Sequence, residues 1–186
     1  MKKICILTDR IDLTKVLLNH FKDTDITIFS NKIEELETNF DLSIVISYKY
    51  DIPQKLFNSK VIKVHPSLLP AFANNTAIKD AYLAGVKVTG VTICELNNNN
   101  TFGRIITQYP ILIDNYTHYD QLEEQINELE KKLLPPVVKS ILEDKIFDIV
   151  DFLNDTPEHN CGVVEVVVIA KVVTKIFDTY KHYKIK

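Results

Sequence analysis

Short runs of apolar and β-branched residues recur through the first third of the chain, and they restrict the possible folds more than any other feature. Each run is four to six residues long, and the first, residues 4–7, is continuously apolar, which is typical of a strand buried on both faces of a sheet. Between the first two runs, apolar residues recur at helical spacing from Leu13 to Phe21. Strands that alternate with helices predict an α/β fold: a mostly parallel, twisted, Rossmann-like sheet with helices on both faces. The predicted strands are residues 4–7, 26–29, 42–47 and 61–65.

The pattern of strands and helices continues in the second half of the chain. Residues 76–84 are predicted to form a helix, and Gly85 follows it at the position that favours a left-handed backbone. Two further strands are expected at residues 88–96 and 105–113, the second broken at Pro110. A long helix should begin near Thr117 with a capping box.

The C-terminal part of the chain differs in character from the rest. Pro135 and Pro136 are expected to kink or end the long helix, and from Asp155 onward a polar loop precedes an apolar segment and a helical pattern. We predict one α/β domain over residues 1–150 and a C-terminal extension over residues 151–186. The extension contains an apolar segment at 163–169, which would pack on the domain or on a partner, including a second copy of the chain.

Charge and glycine content exclude several functional classes. The chain has 186 residues and a formal net charge of −3, with no basic block, so nucleic acid and anionic membranes are not expected as partners. Only four residues are glycine, and none form a GxGxxG or Walker loop. Neither of these phosphate-binding loops is therefore expected.

Cysteine spacing and apolar run length indicate the cellular setting. Cys5, Cys94 and Cys161 are far apart and form no CxxC pair, so neither a disulfide framework nor a metal site is expected. The longest apolar run is interrupted by Glu165 and is much shorter than the ~20 residues that cross a bilayer. We expect a protein of the cytoplasm that binds no metal.

Three sequence blocks point to a known family. Residues 65–72 read HPSLLPAF, residues 84–92 read AGVKVTGVT, and residues 103–108 read GRIITQ. Together, at this spacing, they resemble the folate-dependent formyltransferases, and the most similar subgroup is the glycinamide ribonucleotide transformylases of purine biosynthesis. The resemblance covers roughly residues 1–142 and implies a formyltransferase-like α/β fold.

The resemblance also implies a reaction and a catalytic trio. Members of the family transfer a formyl group from 10-formyltetrahydrofolate to an amine, using an Asn, a His and an Asp. The histidine corresponds to His65, whereas Lys63 stands at the Asn position and Thr101 at the Asp position. Thr101 cannot accept a proton at neutral pH, and Lys63 offers only donors. We therefore expect formyl transfer to be lost or low.

The positions that would bind ligands also differ from the family pattern. The segment TDRID at residues 8–12 stands where the family has a glycine-rich loop for phosphate. Arg10 and Asp12 are the candidate substrate-binding residues here, and the acids weigh against glycinamide ribonucleotide as substrate. The resemblance places the folate site at a further set of residues: Tyr48, Lys49, Tyr50, Asp51 and Asn100.

Three functional hypotheses follow from these residues. The first is a divergent formyltransferase-family protein of lost or low activity that binds a small molecule or a partner chain. The second is an active formyltransferase for another amine, such as a nucleotide-linked amino sugar, with Asp51 or Glu95 as the acid/base group. The third is a non-catalytic interaction protein.

Overall fold

The computed structural model describes residues 1–34, 36, 39–149 and 152. In this part of the chain, three α-helices and one 3-10 helix accompany six strands. The helices are α1 (Ile11–His20), α2 (Ala77–Leu83), α3 (Tyr119–Leu142) and the 3-10 helix Gln54–Asn58. The strands are β1 (Lys3–Thr8), β2 (Asp25–Phe29), β3 (Leu42–Ile46), β4 (Lys60–His65), β5 (Val88–Leu96) and β6 (Phe102–Leu112).

The strands form one sheet in the order β2-β1-β3-β4-β5-β6, which confirms the predicted α/β fold. The first four strands are parallel, while β5 and β6 pair antiparallel as a hairpin. Pro110 lies within β6 and does not break it, because β6 is the edge of the sheet and its outer side needs no ladder hydrogen bonds.

Alternate residues of the strands face two different layers. Cys5, Leu7 and Val61 belong to a buried cluster that includes Leu56 of the 3-10 helix. Helix α1 packs against α3 and β1, and α3 also contacts β5, so the α-helices cover the other face. Both faces carry helical structure, as predicted, and the central strands are buried on both sides.

Helix α3 differs from the sequence prediction at both ends. Its N-cap is His118, whose backbone N–H donates to Gln121 Oε1 at 3.0 Å, so the capping box lies one residue later than expected. The helix also continues through Pro135 and Pro136 to Leu142. Apolar residues before and after the prolines are buried, and this packing offsets the two hydrogen bonds that proline cannot make.

Residues 1–147 form one compact unit that contains the whole sheet. The predicted C-terminal extension lies outside the described residues, apart from residue 152. Its apolar segment and its role in oligomerisation stay predictions.

Candidate functional site

Polar loops meet at one edge of the sheet, where β1, β3 and β4 end. The strand order reverses between β1 and β3, and such a reversal opens a crevice beyond the carboxyl ends of parallel strands. Two adjoining cavities lie at this edge. The histidine cavity, about 210 Å³, is lined by Lys63, His65 and Lys49, and the arginine cavity, about 380 Å³, by Arg10 and Glu130. Both are also lined by Ser47, Pro66 and Asn75.

His65 is held in a defined orientation at the end of β4. Its side chain is buried, and Nε2 lies 3.0 Å from the carbonyl oxygen of Phe72. Since a carbonyl only accepts, Nε2 carries the proton and Nδ1 is the basic nitrogen of the neutral ring. Burial lowers the pKa of His65, and the nearby Lys63 charge lowers it further, against the Phe72 hydrogen bond. The ring is therefore neutral at physiological pH, as a base must be.

Lys63 lies two residues earlier on β4, so its side chain points to the same face of the sheet as His65. It is half-buried, and burial lowers the pKa of its ammonium group. Its Nζ lies 5.1 Å from the centroid of the Phe102 ring, which also meets the His65 ring edge-on at 5.0 Å. None of the ion pairs within the described part of the chain includes Lys63.

Thr101 lies in the exposed turn of the β5–β6 hairpin. Its hydroxyl donates to Asn99 Oδ1 at 2.6 Å and accepts from Asn97 Nδ2 at 3.1 Å. The hydrogen bonds described for Thr101 thus stay within the turn, and its convergence with His65 stays a prediction. The neighbour of Thr101, Phe102, is the residue that contacts both Lys63 and His65.

The five candidate folate residues divide into two sets. Tyr48 and Lys49 line the histidine cavity. Tyr50 extends this set, since its ring meets Tyr48 edge-on at 5.5 Å and lies 5.2 Å from Lys49 Nζ. Asp51 is exposed and Asn100 occupies the hairpin turn with a φ of 61°, and neither lines the cavity.

Arg10 is bound by two carboxylates. Its Nε and Nη2 donate to the two oxygens of Asp12, each at 2.9 Å, and Nη1 donates to Glu130 at 3.0 Å. The guanidinium holds the pKa of Asp12 well below its usual range. Burial raises the pKa of Glu130 to about 7, although Arg10 opposes this rise. The arginine cavity therefore offers little net positive charge to an anion.

Glu130 is a residue that the sequence reasoning missed. It is only 3% exposed and stands on the buried stripe of α3, four residues after Ile126 and eight after Leu122. An acid on an otherwise apolar helical stripe was the available signal, since buried acids are rare unless they are paired.

The HPSLLP segment is fixed to the sheet by Thr92 of β5. The Thr92 hydroxyl donates to the carbonyl oxygen of Ser67 at 2.6 Å and accepts from Leu69 N–H at 3.1 Å. It also accepts from Gln108 Nε2 at 2.9 Å, which completes its hydrogen bonds. The three sequence blocks therefore meet in one network behind His65.

Comparison with known proteins identifies the family. The model of the formyl transferase family matches residues 27–138, more than half of the chain. The chain belongs to this family. The phosphoribosylglycinamide formyltransferase of Bacillus subtilis (strain 168) is 41% identical over 86 residues, covering 46% of this chain and 44% of the relative.

Methionyl-tRNA formyltransferases form a second class of similar proteins. The methionyl-tRNA formyltransferase of Ehrlichia chaffeensis is 32% identical over 125 residues, covering 66% of this chain and 41% of the relative. The chain thus spans less than half the length of these curated relatives.

Solved structures share the fold. A phosphoribosylglycinamide formyltransferase from Anaplasma phagocytophilum has a TM-score of 0.67 at 23% identity, covering 77% of this chain and 87% of its own. A 4-N formyltransferase from Francisella tularensis has a TM-score of 0.68 at 20% identity, covering 80% of this chain and 72% of its own. At these identities the likeness establishes the architecture.

Two structural features are absent from the described residues. None of the helices there has the length and apolar character to cross a membrane. The same residues contain no cluster of three or more His, Cys, Asp or Glu side chains suited to hold a metal ion.

Proposed function

We propose that this chain is a phosphoribosylglycinamide-formyltransferase-like protein whose cleft binds a 10-formyltetrahydrofolate donor, while formyl transfer to an external amine is lost or strongly lowered. The observation that carries the proposal is the packing around His65. Its ring is oriented and neutral as a base requires, yet the groups packed beside it are Lys63 and Phe102. A lysine and an aromatic ring cannot relay a proton as a carboxylate does.

The loss of rate follows from the two positions at which the resemblance implies an Asn and an Asp. An amide stabilises a developing oxyanion with a fixed, neutral donor, and removing one such donor costs about 10²–10³ in rate. Lys63 offers a charged donor on a flexible stem instead, and its charge lowers the pKa of His65. The Thr101 hydroxyl is engaged by Asn97 and Asn99.

The arginine cavity argues against a phosphorylated acceptor. A phosphate that approached Arg10 would meet Asp12 and Glu130, which already accept three of its hydrogen bonds at 2.9–3.0 Å. Carboxylates near the phosphate would also repel it. Glycinamide ribonucleotide is therefore not the acceptor that this cavity favours.

A steady-state assay with 10-formyltetrahydrofolate and a panel of amines tests the proposal. The panel should include glycinamide ribonucleotide and a nucleotide-linked amino sugar. We expect kcat/KM below about 10² M⁻¹s⁻¹ with every amine, at least ~100-fold under the low end for ordinary enzymes. A higher value with any amine would contradict the loss of activity.

The second candidate function is formyl transfer to an amino sugar. Glu123, Asn127 and Glu130 line the arginine cavity, and carboxylate and amide groups are suited to bind sugar hydroxyls. This reaction would need another acid/base group. Glu95 is paired with Arg104 at 2.8 Å, so the exposed Asp51 is the freer of the two residues proposed from the sequence. Turnover with the amino sugar alone would favour this candidate.

Restoring the family residues should not create a glycinamide ribonucleotide transformylase. The double variant Lys63→Asn with Thr101→Asp supplies the oxyanion donor and the proton relay, but Arg10 stays bound to Asp12 and Glu130. Without a phosphate site the amine is poorly positioned, and an error of about 1 Å can cost ~10² in rate. Steady-state kinetics should find kcat/KM below about 10⁴ M⁻¹s⁻¹. A value at or above that level would show that the arginine cavity accepts the phosphate.

A further inference from the structure

The environment of Lys63 is unusual for a lysine. Its amine lines a cavity beside His65, packs on the Phe102 ring, and is half-buried. Burial without a carboxylate partner disfavours the ammonium form, and the direction of the Lys63 pKa agrees with this. A lysine amine that lies in a cavity near the end of a strand, on the same strand face as an oriented imidazole able to accept its proton, is a nucleophile once it is deprotonated.

We propose that Lys63 is itself a formyl acceptor, whose amine takes the formyl group from a donor bound in the histidine cavity and becomes Nε-formyllysine. This inference rests on the proposed function, because the proposed function supplies the formyl donor. It adds a modification site at the position where the resemblance implies an asparagine, whose amide nitrogen is not nucleophilic.

The step needs no oxidant, reductant or further reactant. The Nζ lone pair attacks the formyl carbon, and the bond between that carbon and N10 of the folate breaks. The electron pair returns to N10, which takes up the proton that Nζ loses, and His65, whose Nδ1 is the basic nitrogen and which lines the same cavity, would carry that proton. The products are Nε-formyllysine and tetrahydrofolate. Transfer runs from an aryl amine to an alkyl amine, and the alkyl formamide is the more stable because the aryl ring competes for the nitrogen lone pair.

Lys49 provides a matched comparison within the same cavity. It also lines the histidine cavity and also lies near an aromatic ring, that of Tyr50 at 5.2 Å. It is exposed, however, and does not stand beside His65 on β4. If cavity access alone decided reactivity, Lys49 and Lys63 would react equally.

The experiment incubates the full chain with 10-formyltetrahydrofolate and locates formyl groups by peptide mass spectrometry. The variant Lys63→Arg removes the primary amine from the cavity, and Lys15→Arg makes the same change at an exposed position of α1, outside both cavities. We expect Lys63 to be formylated at least about tenfold faster than Lys49, since Lys63 stands beside the base His65 on β4 and a positioned base contributes about 10²–10⁴-fold in rate. The formylation rate should rise with pH and level off at a pH below the ordinary lysine range.

A calorimetric titration with a stable deaza analogue of the donor is run beside it, so that donor binding and modification are scored separately. Modification of Lys63 that disappears in Lys63→Arg and persists in Lys15→Arg supports the inference. Analogue binding without modification of Lys63 overturns the inference and leaves the proposed function standing. Equal modification of Lys49 and Lys63 also overturns the inference, because the formylation would then be unselective. Absence of analogue binding overturns the inference and the proposed function together.

Discussion

Gly90→Ala should destabilise the domain by roughly 4 kcal/mol or leave it insoluble, which is large against the ~5–15 kcal/mol that holds a typical domain together. A Cβ at this position would lie 2.1 Å from the carbonyl oxygen of Tyr109 and 2.9 Å from a methyl group of Leu68. Tyr109 belongs to β6 and Leu68 to the HPSLLP segment, so the methyl group would separate the hairpin and displace the segment behind His65. Urea denaturation of the variant measures this loss of stability.

Gly85→Ala is the matched control for this substitution. Gly85 has a φ of 66°, but, its chain neighbours aside, no atom of the described residues lies within 4 Å of the position its Cβ would take. The expected cost is therefore only the left-handed backbone penalty, about 1–2 kcal/mol. Equal destabilisation by the two variants would show that the close approach at Gly90 does not govern the stability of the sheet.

Thr92→Val should cost roughly 2–4 kcal/mol of unfolding free energy. The substitution keeps the shape of the side chain but removes the hydroxyl that binds Ser67, Leu69 and Gln108. It would leave a carbonyl and an amide in a buried region without their partner, and each such group costs about 1–3 kcal/mol. Thermal or urea unfolding of the variant measures the effect.

Thr89→Val tests the same substitution on the same strand. Thr89 is also buried, yet its hydroxyl has no hydrogen-bond partner within the described residues. Replacing an unsatisfied buried hydroxyl by a methyl group should be neutral or stabilising by about 1 kcal/mol. If Thr89→Val destabilised the protein as much as Thr92→Val, loss of packing rather than of hydrogen bonds would be the cause.

The strands of the domain could be predicted from sequence because their signal is local. Residues 4–7 and 44–46 are apolar at consecutive positions, and β1 and β3 are buried on both faces of the sheet, which is the pattern such runs predict. Gly85 was predictable for a similar reason, since a glycine directly after a helical pattern favours the left-handed conformation that the structure shows.

Other features depend on contacts between distant parts of the chain, so the local sequence pattern gives little indication of them. Arg10 and Glu130 are 120 residues apart, and their pairing exists only because α1 and α3 pack together. Phe102 contacts Lys63 because the β5–β6 hairpin folds beside β4, and no motif marks it in the sequence. Pro135 and Pro136 carry a strong local signal, but burial of the surrounding helix outweighs it.

Equilibrium binding of the stable deaza analogue of 10-formyltetrahydrofolate, measured by calorimetry, tests the central claim most directly. Asn75 lines both cavities, so Asn75→Trp should occlude the cleft, while Asn58→Trp places the same bulk on the exposed end of the 3-10 helix, outside both cavities. We expect the wild type and Asn58→Trp to bind the analogue with the same affinity. Asn75→Trp should bind it at least about tenfold more weakly, a difference in binding free energy of ~1.4 kcal/mol. Absence of binding by the wild type at millimolar analogue would contradict the account and leave a non-catalytic interaction protein as the remaining hypothesis.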